Sequence, residues 1–184
     1  MTDDPLAWET LSSGTAYTCP GFDVVHEDVR LPDGTETDFD YLSEPPAVVI
    51  LPFTPDGDVV LVEEWRQAVD RVNRGLPAGT TEPEDADFAA AARRELAEET
   101  GYEAGRVEPL DTVEPANGVA DAVHHHFVAR DCTPTGEQDL DENESIRVTT
   151  APFDDLYADV LAGEVRDGRM ALALLAYAAR ERNA

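Results

Sequence analysis

The chain has 184 residues, of which 40 are acidic and 13 are basic, and its formal net charge is −27. Such an excess of acid argues against nucleic acid and against an anionic membrane surface as partners, because both would repel the protein. The acids are spread along the chain among 42% hydrophobic residues, which is typical of a folded domain with an acidic surface. All the basic residues are arginine. We interpret this composition as that of a halophilic protein, because concentrated salt screens self-repulsion.

The termini and cysteines favour a soluble, cytoplasmic protein. The first residues, MTDDPLAWET, lack the basic-then-apolar pattern of a signal peptide. No apolar run approaches the ~20 residues that span a bilayer. The two cysteines, Cys19 and Cys132, show no metal-site spacing, which is usual in a reduced compartment.

Four strands are predicted in the first part of the chain. The segments 22–31 and 36–42 flank the turn PDGT, so they are expected to pair as a hairpin. The apolar run AVVILPF at 47–53 predicts a buried strand. The turn PDGD then leads into a strand at 59–69, and we expect these two strands to form a second hairpin.

The second part of the chain alternates between strands and helices. A helix is predicted over 86–100, because good helix formers dominate it and Gly101 follows as a C′ residue. The other predictions are a loop at 73–85, strands at 106–113, 122–130 and 145–150, a polar loop at 133–144, and helices at 154–163 and 168–182. This order predicts an α/β (α+β) fold in which a mixed sheet is sandwiched between helices.

The segment RRELAEETGY crowds acids at the C-terminal end of the predicted helix. Glu95 shares a helix face with Glu98 and Glu99, because residues three and four apart are neighbours. The helix C-terminus carries partial negative charge, so acids there are unfavourable unless a cation compensates them. One interpretation is a solvated face of an acidic protein. The other is a site for Mg²⁺, which takes oxygen ligands alongside substrate phosphates.

These glutamates stand in a motif that resembles the box of the Nudix hydrolases, G-x5-E-x7-R-E-U-x-E-E-x-G-U. Residues 94–101, RELAEETG, match its second half, and Gly79 matches its opening glycine. Tyr102 stands where an aliphatic residue is usual. The spacing from Gly79 to Arg94 is one residue longer than the box allows, and the earlier glutamate of the box would fall on Ala86. We interpret this as a loop insertion in which Asp85 or Glu84 substitutes.

Most of the chain is similar to the ADP-ribose pyrophosphatase branch of this family, through AVVILPF, VVLVEEWRQAV, LPAG and DENESIRV. The resemblance implies a Nudix fold at 46–184 and N-terminal antiparallel strands at 1–45 that form a dimerising unit, hence a homodimer. It also implies Mg²⁺, or Mn²⁺, as the cofactor, with metal ligands at Ala78 (through its carbonyl), Glu95, Glu98, Glu99 and Glu144.

The same resemblance assigns the remaining site residues. Glu142 matches the proposed general base, with the choice between Glu142 and Glu144 left open, and Glu99 is the second catalytic residue. Arg66 matches a phosphate-contacting arginine; the alternative is an ion pair with Glu63 or Glu64. Trp8 is similar to an adenine-stacking tryptophan, with Phe39 as its partner from the second subunit; the alternative for both residues is ordinary core or dimer packing.

The implied activity is metal-dependent cleavage of the pyrophosphate of ADP-ribose to AMP and ribose 5-phosphate. The alternatives are another dinucleotide or nucleotide-sugar, such as NADH or GDP-mannose, and a non-catalytic ADP-ribose sensor. The triplet His124, His125 and His126 is not expected to bind metal, because alternate residues of a strand point to opposite faces.

Overall fold

The structure is a computed structural model that describes residues 4–141 and 144–182. Its strands are β1 Glu9–Cys19, β2 Phe22–Arg30, β3 Glu36–Ser43, β4 Ala47–Pro52, β5 Asp58–Arg66, β6 Arg71–Gly75, β7 Ala78–Thr80, β8 Tyr102–Glu103, β9 Arg106–Val113, β10 His124–Arg130, β11 Thr133–Pro134 and β12 Ile146–Pro152. Its helices are α1 Phe88–Thr100, α2 Phe153–Leu161 and α3 Gly168–Glu181, with a 3-10 turn at Gln67–Val69. Over these residues, no helix combines the length and the apolar character needed to cross a membrane.

One compact unit comprises the described residues of Met1–Pro46 together with Glu114–Val123. Its sheet has the order β1-β2-β3, with both pairs antiparallel. The segment 114–123 is tied to the end of β3, because the Asp121 carboxylate accepts hydrogen bonds from the Ser43 hydroxyl at 2.8 Å and the Glu44 N–H at 3.0 Å. The domain boundary at residue 45 and the dimerising role of this unit stay predictions.

Strand β1 was not predicted from the sequence. Its residues, ETLSSGTAYTC, show no apolar alternation, and all but the last are exposed. The strand nevertheless pairs with β2 along its length, with irregularities at Thr10/Ser12 and Thr15/Tyr17. Main-chain pairing with β2, rather than burial, therefore defines this element.

The second unit, residues 47–113 and 124–184, contains two larger sheets. One has the order β7-β4-β10-β9 and is mixed, because β4 and β10 are parallel while the other neighbours are antiparallel. The other has the order β12-β5-β6 and is antiparallel. One apolar cluster joins both sheets to α2 and α3, and a second lies between the mixed sheet and α1. The predicted mixed sheet with flanking helices is confirmed.

The predicted hairpin between residues 47–53 and 59–69 is wrong. The turn exists, since the Gly57 N–H bonds the Thr54 carbonyl at 3.0 Å and a single bridge joins Phe53 to Val59. Beyond that bridge, however, β4 and β5 enter different sheets. Most of β4 and the first half of β5 are buried on both faces, and each strand lies inside its own sheet, a position that favours continuous apolar runs.

Helix α1 forms where it was predicted, beginning two residues later. Asp87 is its N-cap, and its carboxylate accepts a hydrogen bond from the Ala90 N–H at 2.8 Å. Gly101 ends the helix with φ 71°, a conformation that glycine adopts without strain. The buried Leu96 belongs to the apolar cluster that includes Ile50 of β4, which holds the helix against the mixed sheet.

The histidine triplet divides between the two faces of β10, as the alternation predicts. His125 stacks on Phe88 of α1 with ring centroids 3.7 Å apart. His126 is 1% exposed, and burial lowers its pKa to about 4, so the ring is neutral. The ring centroids of His124 and His126 are 6.5 Å apart.

Candidate active site

The three glutamates of α1 differ in burial. Glu99 is 4% exposed and the Glu95 side chain 12% exposed, whereas the Glu98 side chain is 38% exposed. The helix turns Glu95 and Glu99 towards β7, the strand that precedes it, and leaves Glu98 more exposed to solvent. The interpretation of a solvated face therefore does not describe Glu95 and Glu99.

Strand β7 passes close to the buried pair. The Ala78 N–H donates a hydrogen bond to Glu99 Oε2 at 3.0 Å, which places the backbone of β7 beside this carboxylate. At Gly79, a Cβ atom would overlap the carboxylate of Glu95. The opening glycine of the motif is thus required for space: any side chain there would displace a carboxylate.

Arg94 organises the acids around it. Its guanidinium contacts Glu95 Oε1 and Glu98 Oε2, each at 2.9 Å, and the Thr80 carbonyl at 2.9 Å. Both oxygens of Asp85 also accept from it, at 3.2 and 3.0 Å. These contacts raise the pKa of Arg94, with Asp85 as the largest cause. Of the two acids considered for the lengthened loop, Asp85 is therefore the one that reaches the box arginine.

The loop after β11 is tied to the end of α1 by hydrogen bonds to main-chain carbonyls of the helix. Gln138 Nε2 donates to the Glu99 carbonyl at 2.6 Å, and the Asp139 N–H donates to the Glu98 carbonyl at 2.9 Å. Gly101 lies so close to Gly136 that a Cβ atom would contact the Gly136 carbonyl. The loop satisfies carbonyls that a helix end leaves without intrahelical partners, and so it carries its acids to the glutamates.

These elements enclose a polar pocket of 240 Å³. It is lined by acids of the helix and of both loops, together with the box glycine and arginine: Gly79, Thr80, Glu82, Arg94, Glu95, Glu98, Glu99, Asp139, Leu140, Asp141 and Glu144. Asp139, Asp141 and Glu82 were not singled out from the sequence; their signal was only the general acidity of the two loops.

The electrostatics of the pocket favour a cation. Burial raises the pKa of Glu99 to about 8; the Ala78 N–H opposes this rise, and Glu95, Glu144 and Glu64 add to it. Burial likewise raises the pKa of Glu95 to about 7, against the opposing effect of the neighbouring guanidinium. No arginine of the described residues forms an ion pair with Glu99. Crowded carboxylates of this kind ionise readily only when a positive charge is added.

Glu64, at the end of β5, is a further acid of this region that the motif did not indicate. Its side chain is 13% exposed, it adds to the raised pKa of Glu99, and its own pKa is raised mainly by burial. Arg66 pairs with Glu64 at 2.8 Å, so the ion-pair alternative for this arginine occurs in the structure. The period-two alternation of a strand places Glu64 on the same face as the buried Val62, which is the signal that could have identified it.

Three further residues were predicted for the site: Glu142, Glu144 and Trp8. Glu142 falls outside the described residues, whereas Glu144 lines the pocket. Trp8 is half exposed and packs edge-to-face on Phe39 of the same chain, with centroids 5.9 Å apart. The roles assigned to these residues stay predictions.

A second group of possible metal ligands lies in the N-terminal unit. Ligand atoms of His26, Asp38 and Asp40 all lie within 4.8 Å of one another. All three residues are exposed, and His26 Nδ1 already hydrogen-bonds the Asp40 carboxylate at 2.8 Å. Exposed clusters of this kind are common in a chain with 40 acids.

The chain is similar to known proteins over nearly its whole length. The family model described as NUDIX domain matches residues 43–173. An ADP-ribose pyrophosphatase of Bacillus subtilis is 30% identical over 171 residues, which are 92% of this chain and 91% of that protein. A GDP-mannose pyrophosphatase of Klebsiella pneumoniae is 35% identical over 127 residues, 65% of this chain and 63% of that protein. A crystal structure of an ADP compounds hydrolase superposes with a TM-score of 0.84 at 22% identity, over 99% of this chain and 98% of that chain, which confirms the predicted fold.

Proposed function

Since the chain belongs to the Nudix hydrolase family, we propose that it cleaves the pyrophosphate of ADP-ribose to AMP and ribose 5-phosphate with the help of a divalent metal. The observation that carries the proposal is the pair of the buried Glu99 and the largely buried Glu95, which line one acidic pocket with Glu144. The B. subtilis relative, which is named for this substrate, matches over nine tenths of both chains and supports the choice of substrate.

The donor set of the pocket fits Mg²⁺, with Mn²⁺ as an alternative. Its candidate ligands are carboxylate oxygens of Glu95, Glu98, Glu99 and Glu144. The Ala78 carbonyl is a further candidate, since the N–H of the same residue contacts Glu99. Hard cations prefer such oxygen ligands to nitrogen or sulfur. When bound, a divalent metal neutralises the pyrophosphate and lowers the pKa of a bound water.

Residues of the chain itself would orient the metal-binding carboxylates and take a proton from the attacking water. Arg94 fixes the carboxylates of Glu95 and Glu98, so both face the pocket before substrate arrives. By the family resemblance, Glu142 is the residue we propose as the general base, while Glu99 takes part in catalysis as a metal ligand. Glu144, already in the pocket, is the other residue that could take the proton from water.

We assign substrate contacts and assembly from the same branch of the family. Arg66 would exchange its ion pair with Glu64 for a bidentate contact to phosphate oxygens, a geometry that suits a guanidinium. Trp8 would stack on adenine. The strands of the N-terminal unit would pair two chains into a homodimer, and the protein would act in the cytoplasm on a small nucleotide.

The chief alternative substrate is a nucleotide-sugar. The K. pneumoniae relative named for GDP-mannose is 35% identical over a shorter part of the chain, and this favours GDP-mannose as the second candidate. NADH is a third candidate substrate, and a non-catalytic ADP-ribose sensor is a candidate from a different class of function. The sensor is disfavoured because all three box glutamates are present and line one acidic pocket, with Glu99 4% exposed.

Turnover and binding measured on matched variants test the proposal. The purified protein is incubated with ADP-ribose, GDP-mannose or NADH in high salt, with Mg²⁺ or with a chelator, and the products are resolved by chromatography. We expect AMP from ADP-ribose only with metal. Glu99→Gln should abolish turnover while nucleotide binding persists, and Glu103→Gln, which alters an exposed acid beyond the helix, should behave as wild type. Tight binding of ADP-ribose without turnover in any metal would instead indicate the sensor.

A further inference from the structure

A second pocket lies along the edge strand β6, where the connection between α2 and α3 faces it. Its volume is 330 Å³, within the lower range of small-molecule sites. It is lined by Arg71, Val72, Asn73, Arg74, Asp159, Glu164, Val165, Arg166 and Met170. It shares no residue with the lining of the carboxylate pocket, so it is a separate site.

The charge of this pocket is the reverse of that of the chain. Three of the 13 basic residues line it, against two acids, in a protein of net charge −27. In the part of the chain that the structure describes, Arg71, Arg74 and Arg166 form no ion pair with any carboxylate. Seven of the 13 arginines pair with a carboxylate in the described residues, and these three do not, so their guanidinium groups remain available to another anion.

Buried groups hold one of these arginines in place. Arg71 Nη1 donates to Asn73 Oδ1 at 2.9 Å, and Asn73, 8% exposed, donates in turn to Asp167 Oδ2 at 2.9 Å. Asp167 is the N-cap of α3 and accepts from the Met170 N–H at 2.8 Å. This chain of hydrogen bonds orients the guanidinium of Arg71 without neutralising it.

Three side chains of the lining are apolar, beside the polar Asn73 and the acids Asp159 and Glu164. Met170 is 1% exposed and belongs to the main core, and Val165 packs against the same core cluster. Val72 is exposed on β6. An apolar wall beside unpaired guanidinium groups suits a ligand with one anionic end and one flat or apolar end.

We propose that this pocket binds a phosphomonoester, with the phosphate on Arg71, Arg74 and Arg166 and the organic part against Val72 and Met170. A phosphomonoester carries close to two negative charges and accepts paired N–H donors from arginine. Binding needs no metal, because the guanidinium groups supply the positive charge. The pocket is therefore a second site for phosphorylated small molecules, outside the proposed catalytic pocket.

Calorimetric titration in the presence of a chelator tests this site, since the chelator removes metal-dependent binding at the carboxylate pocket. The probes are AMP, inorganic phosphate and adenosine, which lacks the phosphate. We expect saturable binding of AMP and phosphate and none of adenosine. Arg74→Gln and Arg166→Gln should each weaken AMP binding about tenfold, the order expected for one charge-assisted hydrogen bond.

The control variant is Arg182→Gln, which removes an exposed arginine without a described partner at the end of α3. It should leave AMP binding unchanged, and circular dichroism should show that all three variants fold. The proposal is overturned if wild type shows no saturable phosphate binding, if adenosine binds as tightly as AMP, or if Arg74→Gln and Arg166→Gln bind AMP as wild type does.

Discussion

Replacing Glu99 by glutamine should stabilise the metal-free protein while it removes activity. The pKa of Glu99 is raised from 4.5 to about 8, chiefly by burial, so the folded chain keeps a proton at neutral pH that the unfolded chain releases. Between pH 4.5 and pH 7 this difference reduces the free energy of unfolding by 1.36 kcal/mol per pH unit, or roughly 3 kcal/mol in all. Glutamine has no proton to keep, and its oxygen can still accept the Ala78 N–H.

The direction of the pH dependence is the sharper part of this prediction. A carboxyl whose folded pKa is raised destabilises the fold most above that pKa and not at all below its unfolded value. The stability advantage of Glu99→Gln should therefore be small near pH 4.5, grow as the pH rises, and level off above about pH 8. Added Mg²⁺ should stabilise wild type at neutral pH and reduce its stability difference from Glu99→Gln, since a bound cation favours the ionised form of Glu99.

Urea denaturation at constant ionic strength, with chelator or with Mg²⁺, measures this difference. Glu103→Gln is the matched control, because Glu103 is exposed and its replacement should shift stability by less than about 0.5 kcal/mol. Equal stability of Glu99→Gln and wild type at pH 8 in chelator would refute the reasoning that burial and crowding penalise the ionised Glu99.

Three further results are expected. Arg94→Ala should lower the free energy of unfolding, measured by urea denaturation, by about 3 kcal/mol, because the largely buried Asp85 side chain loses its partner. The control Arg93→Ala removes a single hydrogen bond to the Ala104 carbonyl and should have a small effect. Gly79→Ala should reduce metal-dependent turnover more than about tenfold in initial-rate assays, because its Cβ displaces a carboxylate, while Gly118→Ala, where a Cβ meets open space, should not. The melting temperature should rise with salt to molar concentrations, because screening relieves the repulsion of a net charge of −27; a melting temperature independent of salt would contradict the halophilic interpretation.

The elements that were predicted correctly are those determined by local chemistry. Helix α1 has an Asp87 cap at one end and Gly101 at the other, and the glutamates follow from helical spacing alone. The prediction that β4 and β5 pair was wrong, because neighbouring residues determine the turn between them whereas distant strands determine which sheet each one joins. Strand β7 was missed for a related reason, since it is short and pairs with β4, which lies about thirty residues earlier. Strand β6 pairs with the preceding β5, and it was missed because its five residues, RVNRG, lack an apolar alternation.

The lengthened loop before α1 suggests how the second half of the box tolerates an altered first half. This loop contains a turn closed by two hydrogen bonds, from the Asp85 N–H to the Glu82 carbonyl at 3.1 Å and from the Glu82 N–H to Asp85 Oδ2 at 2.8 Å. The same Asp85 carboxylate then contacts Arg94. Because that arginine also contacts Glu95 and Glu98 directly, this loop supplies a carboxylate to the residue that orients both glutamates. Spacing along the chain is therefore less informative here than the identity of the acid that reaches Arg94, and only three-dimensional contacts distinguish Asp85 from its neighbours.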